Sequence, residues 1–562
     1  MERRVLLAIF LSFLVLYAYQ TFFPSTPPKP SPESAASGAA PGGAAATASP
    51  VVPSPDTEPV AARVGDTSER EVRVESPTLV ATFTNRGGRL KSLRLKQYLD
   101  RTGDPLELVD QSIAGKHPLP FSLRVDDAAV TAQLNAALYT VQEQKDGEAP
   151  GVVFAYESES GLSVRKAFTL DPTSYVIGVD VSGSRNGQTL TPTVLWGPGL
   201  GDSDSDTGRA VKPEGLFASG GKVTRLDAGD VASQSTYQQD FDYAGIDDHY
   251  FAAFALDPGA ATVTYEAVQV PHPQKPDTVR NLMAFSITPA PAERTLRFYA
   301  GPKNFETLAA IDRNLVKAIN FGMFSVIVVP LLRSLNWIHG YIGNYGWAIF
   351  ILTILINLVL FPLNHKSVVS MRKMQEVQPQ AKAIQERYSK LKATDPARQK
   401  MNQEMMALYR EHGVNPASGC IPILLTLPVF LAFYALLTTA IELRGAPFIG
   451  WIHDLSAPDP YYVMPILVGA SQILTQWLTP QAGADPAQQK MMMIMPVVLI
   501  FVFVSTPAGA LIYWFVGNVW RLGQMQVTNY IHPPKVRVVR PAAERRVKRV
   551  GGGKTENAAR ES

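Results

Sequence analysis

The chain has 562 residues, 46% of them apolar and only 18% charged, against about a quarter charged in ordinary soluble domains. This excludes a wholly disordered chain and a coiled coil, and the lone Cys420 excludes intrachain disulfides and a cysteine-built zinc site. The mean hydropathy of +0.01 and the formal charge of +3 are averages over segments of opposite character.

Behind MERR, Val5 to Phe23 forms a charge-free run of 19 residues. A helix needs about 20 apolar residues to cross ~30 Å of hydrocarbon, so the run is a membrane span. Its long apolar core and aromatic end mark residues 1–23 as an uncleaved signal anchor, a cleaved signal peptide being the alternative. Residues 24–59 hold ten prolines among Ala, Ser and Gly and form a tether that buries no core.

From 60 to 310 the pattern becomes period-two alternation, as in Glu71 to Glu75, Leu162 to Phe168, Tyr175 to Val181, Thr262 to Tyr265 and Thr295 to Tyr299. Such runs predict a large antiparallel β-sandwich. Between 24 and 330 there are 36 acids and 27 bases, a balance that suits an extracytoplasmic domain. Asp202 to Asp206 resembles the start of a calcium loop. Thr207 and Pro213 stand where that loop needs Gly and Glu, so it reads as a solvated turn. His117, His249 and His272 lack metal-ligand spacing. Next, Ile311, Leu315, Ile319, Met323 and Val326 make a helical stripe, and 311–335 is read as an amphipathic helix lying in the outer interface. An extension of the following span is the alternative.

Five further spans follow, over about 343–363, 420–440, 462–478, 492–506 and 509–529. Met491 to Ile531 has 41 residues with one charge, Arg521, which is length for two crossings with a turn at Thr506-Pro507-Ala508-Gly509. Between the second and third spans, 366–415 reads as a helical hairpin. Val377, Ile384, Tyr388 and Leu391 form one stripe, and Met401, Met405 and Leu408 the other. Asp395-Pro396 opens its second arm and Gly413 closes it. Residues 366–411 carry ten Lys/Arg and five acids, and the tail 532–562 nine and three, whereas Glu442 to Pro460 has one Arg and three acids. Basic flanks stay cytoplasmic, which places both termini and the hairpin inside and residues 24–335 outside. The basic surface, including Lys366, Arg372, Lys373, Lys382 and Arg387, suits lipid headgroups, ribosomal RNA or an acidic partner; a solvated loop that only sets topology is the alternative.

Polar residues within spans are functional candidates. Thr353 and Asn357 share a face of the second span, Gln472 and Gln476 of the fourth, and Asn518 lies in the sixth. None is ionisable, which argues against a proton relay. They either bond between helices or line a hydrated cavity. Spans four and five are short, so the bilayer thins around them. An intramembrane protease using Ser418 and His412 is disfavoured because no G-x-S pattern frames the serine. A secondary transporter is disfavoured because the halves show no repeat, although Pro422, Pro428, Pro465 and Pro496 offer kinks.

Several stretches carry a resemblance: Asn415 to Pro422 (NPASGCIP), Leu427 to Phe430 (LPVF), Glu442 to Pro447 (ELRGAP), Trp451 to Ser456 (WIHDLS), Asp459 to Pro465 (DPYYVMP) and Pro507 to Tyr513 (PAGALIY). On these, and on the order anchor, β domain, interfacial helix, five-span core and basic hairpin, the chain resembles the YidC/Oxa/Alb family of membrane protein insertases in its Gram-negative form. The resemblance implies a multi-domain inner-membrane protein: six transmembrane α-helices, namely a five-helix core plus the anchor, with a periplasmic antiparallel β-sandwich. It implies an insertase and chaperone that uses no cofactor and no covalent chemistry. Its implied partners are nascent membrane proteins, the Sec translocon with its accessory subunits, the ribosome at the hairpin and tail, and lipid. Its implied mechanism is a hydrophilic groove open to cytoplasm and lipid. Thr353 matches a groove threonine, Leu427 and Phe430 match substrate-contacting positions, and Tyr513 and Trp514 match an aromatic pair on the exit face. The family's groove arginine falls at Asn357, and no Lys or Arg stands between Arg333 and Lys366 to replace it. Insertion is therefore expected to depend on groove polarity, hydration and thinning, not on a fixed positive charge.

Overall fold

The computed structural model describes residues 62–100, 102–144, 149–201, 213–272, 278–290, 295–388, 397–413, 421–478 and 486–531. The expected anchor, tether and tail lie outside these, as do the Asp202–Asp206 turn, Leu391, Ser418 and Cys420.

Alternation builds the β domain. Along Glu71–Glu75 the two valines are buried and the three charged residues exposed, and Leu162–Leu170 repeats the pattern over nine residues. A 4-stranded antiparallel sheet, Glu71–Glu75 to Pro105–Glu107, faces a 14-stranded sheet. Phe83 on the first packs on Phe168 of the second, ring centroids 4.7 Å apart. The larger sheet is organised by the 21-residue strand Phe251–Pro271, which pairs with Thr236–Asp247 along most of its length. Its first part also pairs with Thr295–Pro302 and its second with Val279–Pro289. The change of partner falls at Asp257-Pro258-Gly259, where Asp257 and Gly259 adopt φ of 45° and 64°. A bulge at Phe241/Tyr243 on the neighbouring strand accompanies the bend. Two short helices decorate the domain, α1 (Ala128–Ala136) and α2 (Ala228–Ser233), each capped by an aspartate, Asp127 and Asp227.

One inward position carries Lys166 instead of an apolar side chain. Its ammonium donates to the carbonyls of Gly87 (2.6 Å), Gly88 (3.2 Å) and Phe121 (2.8 Å). All three residues have left-handed φ, of 71°, 53° and 65°, so three unusual backbone turns converge on one cation. Burial pushes its amine well below the usual lysine range, and the nearby Arg89 acts in the same direction.

After the β domain comes α3 (Phe305–Ile311), then 3-10 turns at Leu315–Ala318 and Gly322–Phe324, then α4 (Ser325–Ile342). The continuous helix read over 311–335 is thus broken. Asp312 and Asn320 accept from the amides of Asn314 and Gly322, and Gly322 has φ +65°. Local side-chain bonds of this kind compete with the helical ladder. Gly343, at φ 69°, closes α4, and Asn344 caps α5 (Tyr345–Arg387) by accepting from the Trp347 amide at 3.1 Å. α5 runs for 43 residues through Pro362 and Pro379, so the expected second span and first hairpin arm are one helix. The other arm, α6 (Ala397–Glu411), is tied back to it through Tyr388 and Glu404, 2.7 Å apart.

Four helices complete the core: α7 (Ile421–Thr439), α8 (Val463–Leu478), α9 (Pro486–Phe503) and α10 (Ala508–Ile531). Among the described residues, Gly322–Ile342 and Tyr345–Met374 are long and apolar enough to cross a membrane, and Leu427–Thr439 of α7, Val463–Leu478 and Ile494–Phe503 of α9 are shorter apolar stretches. α8, with 16 residues, measures about 24 Å, less than the hydrocarbon slab. α5 and α10 run side by side in the same direction. A Cβ added to Gly509 would meet Ile349 at 3.3 Å, and His365 Nδ1 lies 3.2 Å from Thr528 Oγ1.

Candidate functional site

The polar side chains of the helices divide by what they bond. On α5, Thr353 is fully buried and donates to its own helix at Ile349 O (2.6 Å), while half-buried Asn357 donates to Thr353 O (2.8 Å). Among the described residues neither is hydrogen-bonded to a neighbouring helix. On α10, Asn518 (2% exposed) donates across to Ser471 Oγ of α8 at 2.9 Å, and Ser471 donates on to Val468 O at 2.8 Å. One turn away Trp514 Nε1 points to Gln472 Oε1 at 3.5 Å. Gln476 is half-buried on the next turn of α8, beside buried Thr475, which donates to Ser471 O. A polar seam therefore joins α8 to α10.

Aromatic rings close the seam on the α7 side. Phe430 lies edge-on to Trp514 (4.8 Å) and stacks with Tyr513 (6.2 Å), Phe433 stacks on Tyr513 (4.3 Å), and Phe503 of α9 meets Trp514 (4.7 Å). Such pairs contribute about 0.5–1.5 kcal/mol each beyond their burial. The structure thus brings Phe430, Tyr513, Trp514 and Gln472 together. Leu427 stands apart from them, 47% exposed on the outer face of α7.

The basic positions on α5 also separate. Arg372 donates to Thr528 O (3.0 Å) and to Asn529, fastening α5 to the end of α10, and Arg387 pairs with Glu404 at 3.7 Å. Lys366, Lys373 and Lys382 are exposed.

Sequence reasoning missed Ser471, which carries an interhelical bond one position from Gln472 on the same helix. A second missed group fastens the β domain to the core. His249 Nε2 lies 2.8 Å from Thr438 O at the end of α7. Glu442 accepts at 3.1 Å from both the Asn304 side chain and the Phe305 amide, and so sits on the N-terminus of α3. Burial pushes its carboxyl up, against those donors. Arg444 lies over the rings of Tyr250 and Phe251, at 5.7 and 5.1 Å. The loop 440–462 also receives the start of α10, through the Ala508 and Gly509 amides. The β domain and this loop therefore occupy one end of the bundle, and the α5 extension with α6 the other. Among the described residues no three His, Cys, Asp or Glu side chains gather as a metal site.

Two family models match: "60Kd inner membrane protein" over residues 337–535 and "YidC periplasmic domain" over 71–334. The chain is 34% identical to the membrane protein insertase YidC of Geobacter metallireducens over 548 residues, covering 94% of this chain and 98% of that one. The chain belongs to the YidC membrane protein insertase family. The YidC of Oleidesulfovibrio alaskensis is 36% identical over 547 residues, with 93% and 98% covered. Among solved structures, an active YidC insertase with its first transmembrane domain resolved aligns at 22% identity and a TM-score of 0.35, over 85% of this chain and 96% of that one. The boundary between the two family models, at 334 and 337, falls within α4. The junctions of His249 with Thr438 and of Glu442 with Asn304 therefore join residues of different family models.

Proposed function

We propose that this chain is a membrane protein insertase and chaperone of the bacterial inner membrane, acting on nascent membrane proteins without cofactor or covalent chemistry. The observation that carries the reading is the polar seam of Ser471, Gln472 and Asn518 inside an otherwise apolar helical core, set beside the Thr353/Asn357 face and walled by Phe430, Tyr513 and Trp514. In an apolar slab the half-buried amides beside this buried pair, Gln472, Gln476 and Asn357, hold water, and a client's polar segment exchanges bulk water for that hydrated groove. The client's apolar segment slides along exposed apolar side chains such as Leu427, Leu358 and Val359. α8 is too short to span an undistorted bilayer, so the slab thins beside the groove and shortens the polar segment's path.

The same reading assigns six crossings, those of the five-helix core and the N-terminal anchor. Both termini are then cytoplasmic and residues 24–335 periplasmic. α4 lies in the outer interface. In support, its middle reaches α3, with Arg333 over the Phe305 ring (5.3 Å) and Asn336 bonded to Glu306 (3.3 Å), while its end turns directly into α5. Exposed Trp337 and Tyr341 on α4 suit the headgroup layer. Lys366, Lys373 and Lys382, with the tail, are the surface offered to the ribosome and to anionic lipid. The β domain is offered to the Sec translocon and its accessory subunits. The test is reconstitution of the purified protein in liposomes with a small single-span client, scored by protease protection of the translocated tail. Protection no greater than in empty liposomes overturns the reading.

A further inference from the structure

A line of exposed aromatic side chains runs round the end of the bundle that carries the β domain. The rings of Trp337 and Tyr341 on α4 lie 5.0 Å apart, and both are exposed. At the start of α5, exposed Trp347 meets the ring of Phe448, 5.4 Å away in the loop 440–462. Asn344 fixes that contact by donating to the carbonyls of Pro447 and Phe448, both at 3.2 Å. The loop then turns at 448–452, closed by the Phe448 amide on Ile452 O (2.9 Å), with Gly450 at φ 61°. Ile449 and Trp451 stand out from this turn, and Tyr461 and Tyr462 follow at 67% and 51% exposure.

These rings are held on a frame. Asp459, itself buried, accepts from Trp451 Nε1 (3.0 Å), the Tyr461 amide (3.0 Å) and the Met464 amide (2.6 Å). One carboxylate thus fixes two of the aromatic residues to the first turn of α8. The same stretch is bridged to Pro507 through Pro458 and takes the Ala508 amide on Ala457 O (2.8 Å), so it is also tied to the start of α10. Tyr462 sits at φ 58°, backbone that favours glycine over a bulky ring. Strain of this kind persists where the surroundings impose it, and it clusters at functional positions. Two successive large rings are therefore held out from the fold by a rigid support, and an exposed patch of this sort marks an interaction surface.

We propose that Trp451, Tyr461 and Tyr462 form a lipid-docking ledge that continues the line of Trp337, Tyr341 and Trp347 and seats in the outer headgroup layer. The ledge rests on the six-crossing reading, which places the loop 440–462 on the outer side. Continuity names the occupant. Below the ledge α8 exposes Ile466, Leu467, Ile473 and Leu474 on the side opposite buried Met464, Val468, Ser471 and Thr475, so ledge and lipid-facing helix form one surface. Tyrosine and tryptophan favour this depth because the ring is apolar and the polar tip can stay wet. Trp451 contributes only its ring, because its N–H is committed to Asp459. Charge then narrows the lipid. No Lys or Arg occurs between Arg444 and Lys490, while Asp454 and Asp459 lie within the loop. The ledge offers nothing to an anionic headgroup and fits zwitterionic phospholipid, unlike the basic α5 extension at the other end. Seated this way, it fixes the depth of α8 and α10 together through their shared mount.

The test uses the full-length protein with Cys420→Ala and a nitroxide on Ile449→Cys, in vesicles of phosphatidylcholine alone or mixed with phosphatidylglycerol. Relative access of oxygen and of a water-soluble nickel complex to the label gives its depth. The expected depth is about 5–10 Å into the headgroup and upper acyl region, in both lipids. Tyr461→Ser with Tyr462→Gly strips both rings and suits the backbone at 462, so the loop keeps its fold while the label moves outward by about 5 Å or more, into water. A label already in water with both tyrosines present, or one unmoved by their removal, overturns the ledge. Immersion only in the phosphatidylglycerol vesicles overturns it in favour of headgroup charge. Shielding from both reagents means that a second copy or another protein covers the surface, and overturns it too. A label on Val359→Cys, exposed on α5, tests the reading beneath. If that label is in water, the crossing itself is refuted; if it is deep in the acyl layer while Ile449→Cys is in water, the ledge alone fails.

Discussion

The bond between Asn518 and Ser471 is the sharpest structural claim about the polar seam, because both side chains are closed off from water, at 2% and 7% exposure. Ser471 accepts from Asn518 and donates to Val468 O, so its one donor is committed and losing the serine leaves the Asn518 amide unmet. Interhelical side-chain hydrogen bonds in membranes average about 0.6 kcal/mol and reach about 1.7 kcal/mol. Burial on both sides places this pair in the upper part of the range, at about 1–1.5 kcal/mol, or roughly a five- to tenfold change in the folding constant. The assay is denaturant unfolding of the full-length protein in mixed micelles, run as a cycle of wild type, Asn518→Ala, Ser471→Ala and the double variant. A coupling energy under about 0.3 kcal/mol would refute the reasoning, since additive losses mean that the two side chains do not meet. Thr353→Ala with Asn357→Ala is the internal control. Asn357 donates to the Thr353 backbone carbonyl, which alanine keeps, so that cycle should close near zero.

Other expectations follow from the same geometry. Asn357→Leu should depress insertion of a client with a polar translocated tail several-fold, while Asn357→Gln stays close to wild type; full tolerance of Leu in the liposome assay refutes a role for groove polarity at this position. Lys166→Met strips the donor from three carbonyls and should destabilise the β domain by about 3 kcal/mol, read as earlier proteolysis or a lower melting temperature of the intact protein; a loss below about 1 kcal/mol means that the carbonyls find other partners. Burial pushes the Asp248 carboxyl up from 3.8 to about 6, although it accepts from the Tyr250 and Phe251 amides. A raised carboxyl pKa means that the native state holds the proton where the unfolded state has lost it. Asp248 therefore weakens the fold as pH rises from about 4 through 6, and Asp248→Asn should gain melting temperature relative to wild type at pH 7.5, keep only part of that advantage at pH 5 and lose it below about pH 4. A difference independent of pH would refute the assignment.

The β-sheets were legible because their cause is local. Val72 and Val74 alternate with charged neighbours, and a half-buried sheet follows from that pattern alone. Lys166 was not legible, since the three carbonyls that hold it come from residues far away in sequence with left-handed backbone. Helix ends in the core were close to expectation where caps and glycines mark them, as at Asn344 and Gly343. The continuity of α5 was hidden because its charge-free run stops at Lys366, which read as the end of a span; Pro362 and Pro379 each remove only one donor from a helix otherwise carried by packing. Within the seam, a 3.6-residue period places Ser471 and Gln472 on adjoining faces of α8, and only the position of α10 decides which one is buried against a partner. Glu442 was visible as part of a motif, but its place on the N-terminus of α3 needs the β domain to be folded.

The division of bonds among the helices has a mechanical consequence. α8 and α10 are locked by side chains that spend themselves on each other, and Arg372 with His365 fastens α10 to α5 at the far end of the bundle. Thr353 and Asn357 each donate to the backbone of α5 itself, and among the described residues neither side chain is hydrogen-bonded to another helix. A wall held at its ends and unbonded along its middle can admit a polar chain without breaking an interhelical bond. The two faces of the seam then differ in role: α8 and α10 keep the shape, and α5 meets what enters. Substitutions that destabilise the protein should therefore concentrate at Ser471 and Asn518, and those that alter insertion at constant stability should concentrate at Asn357.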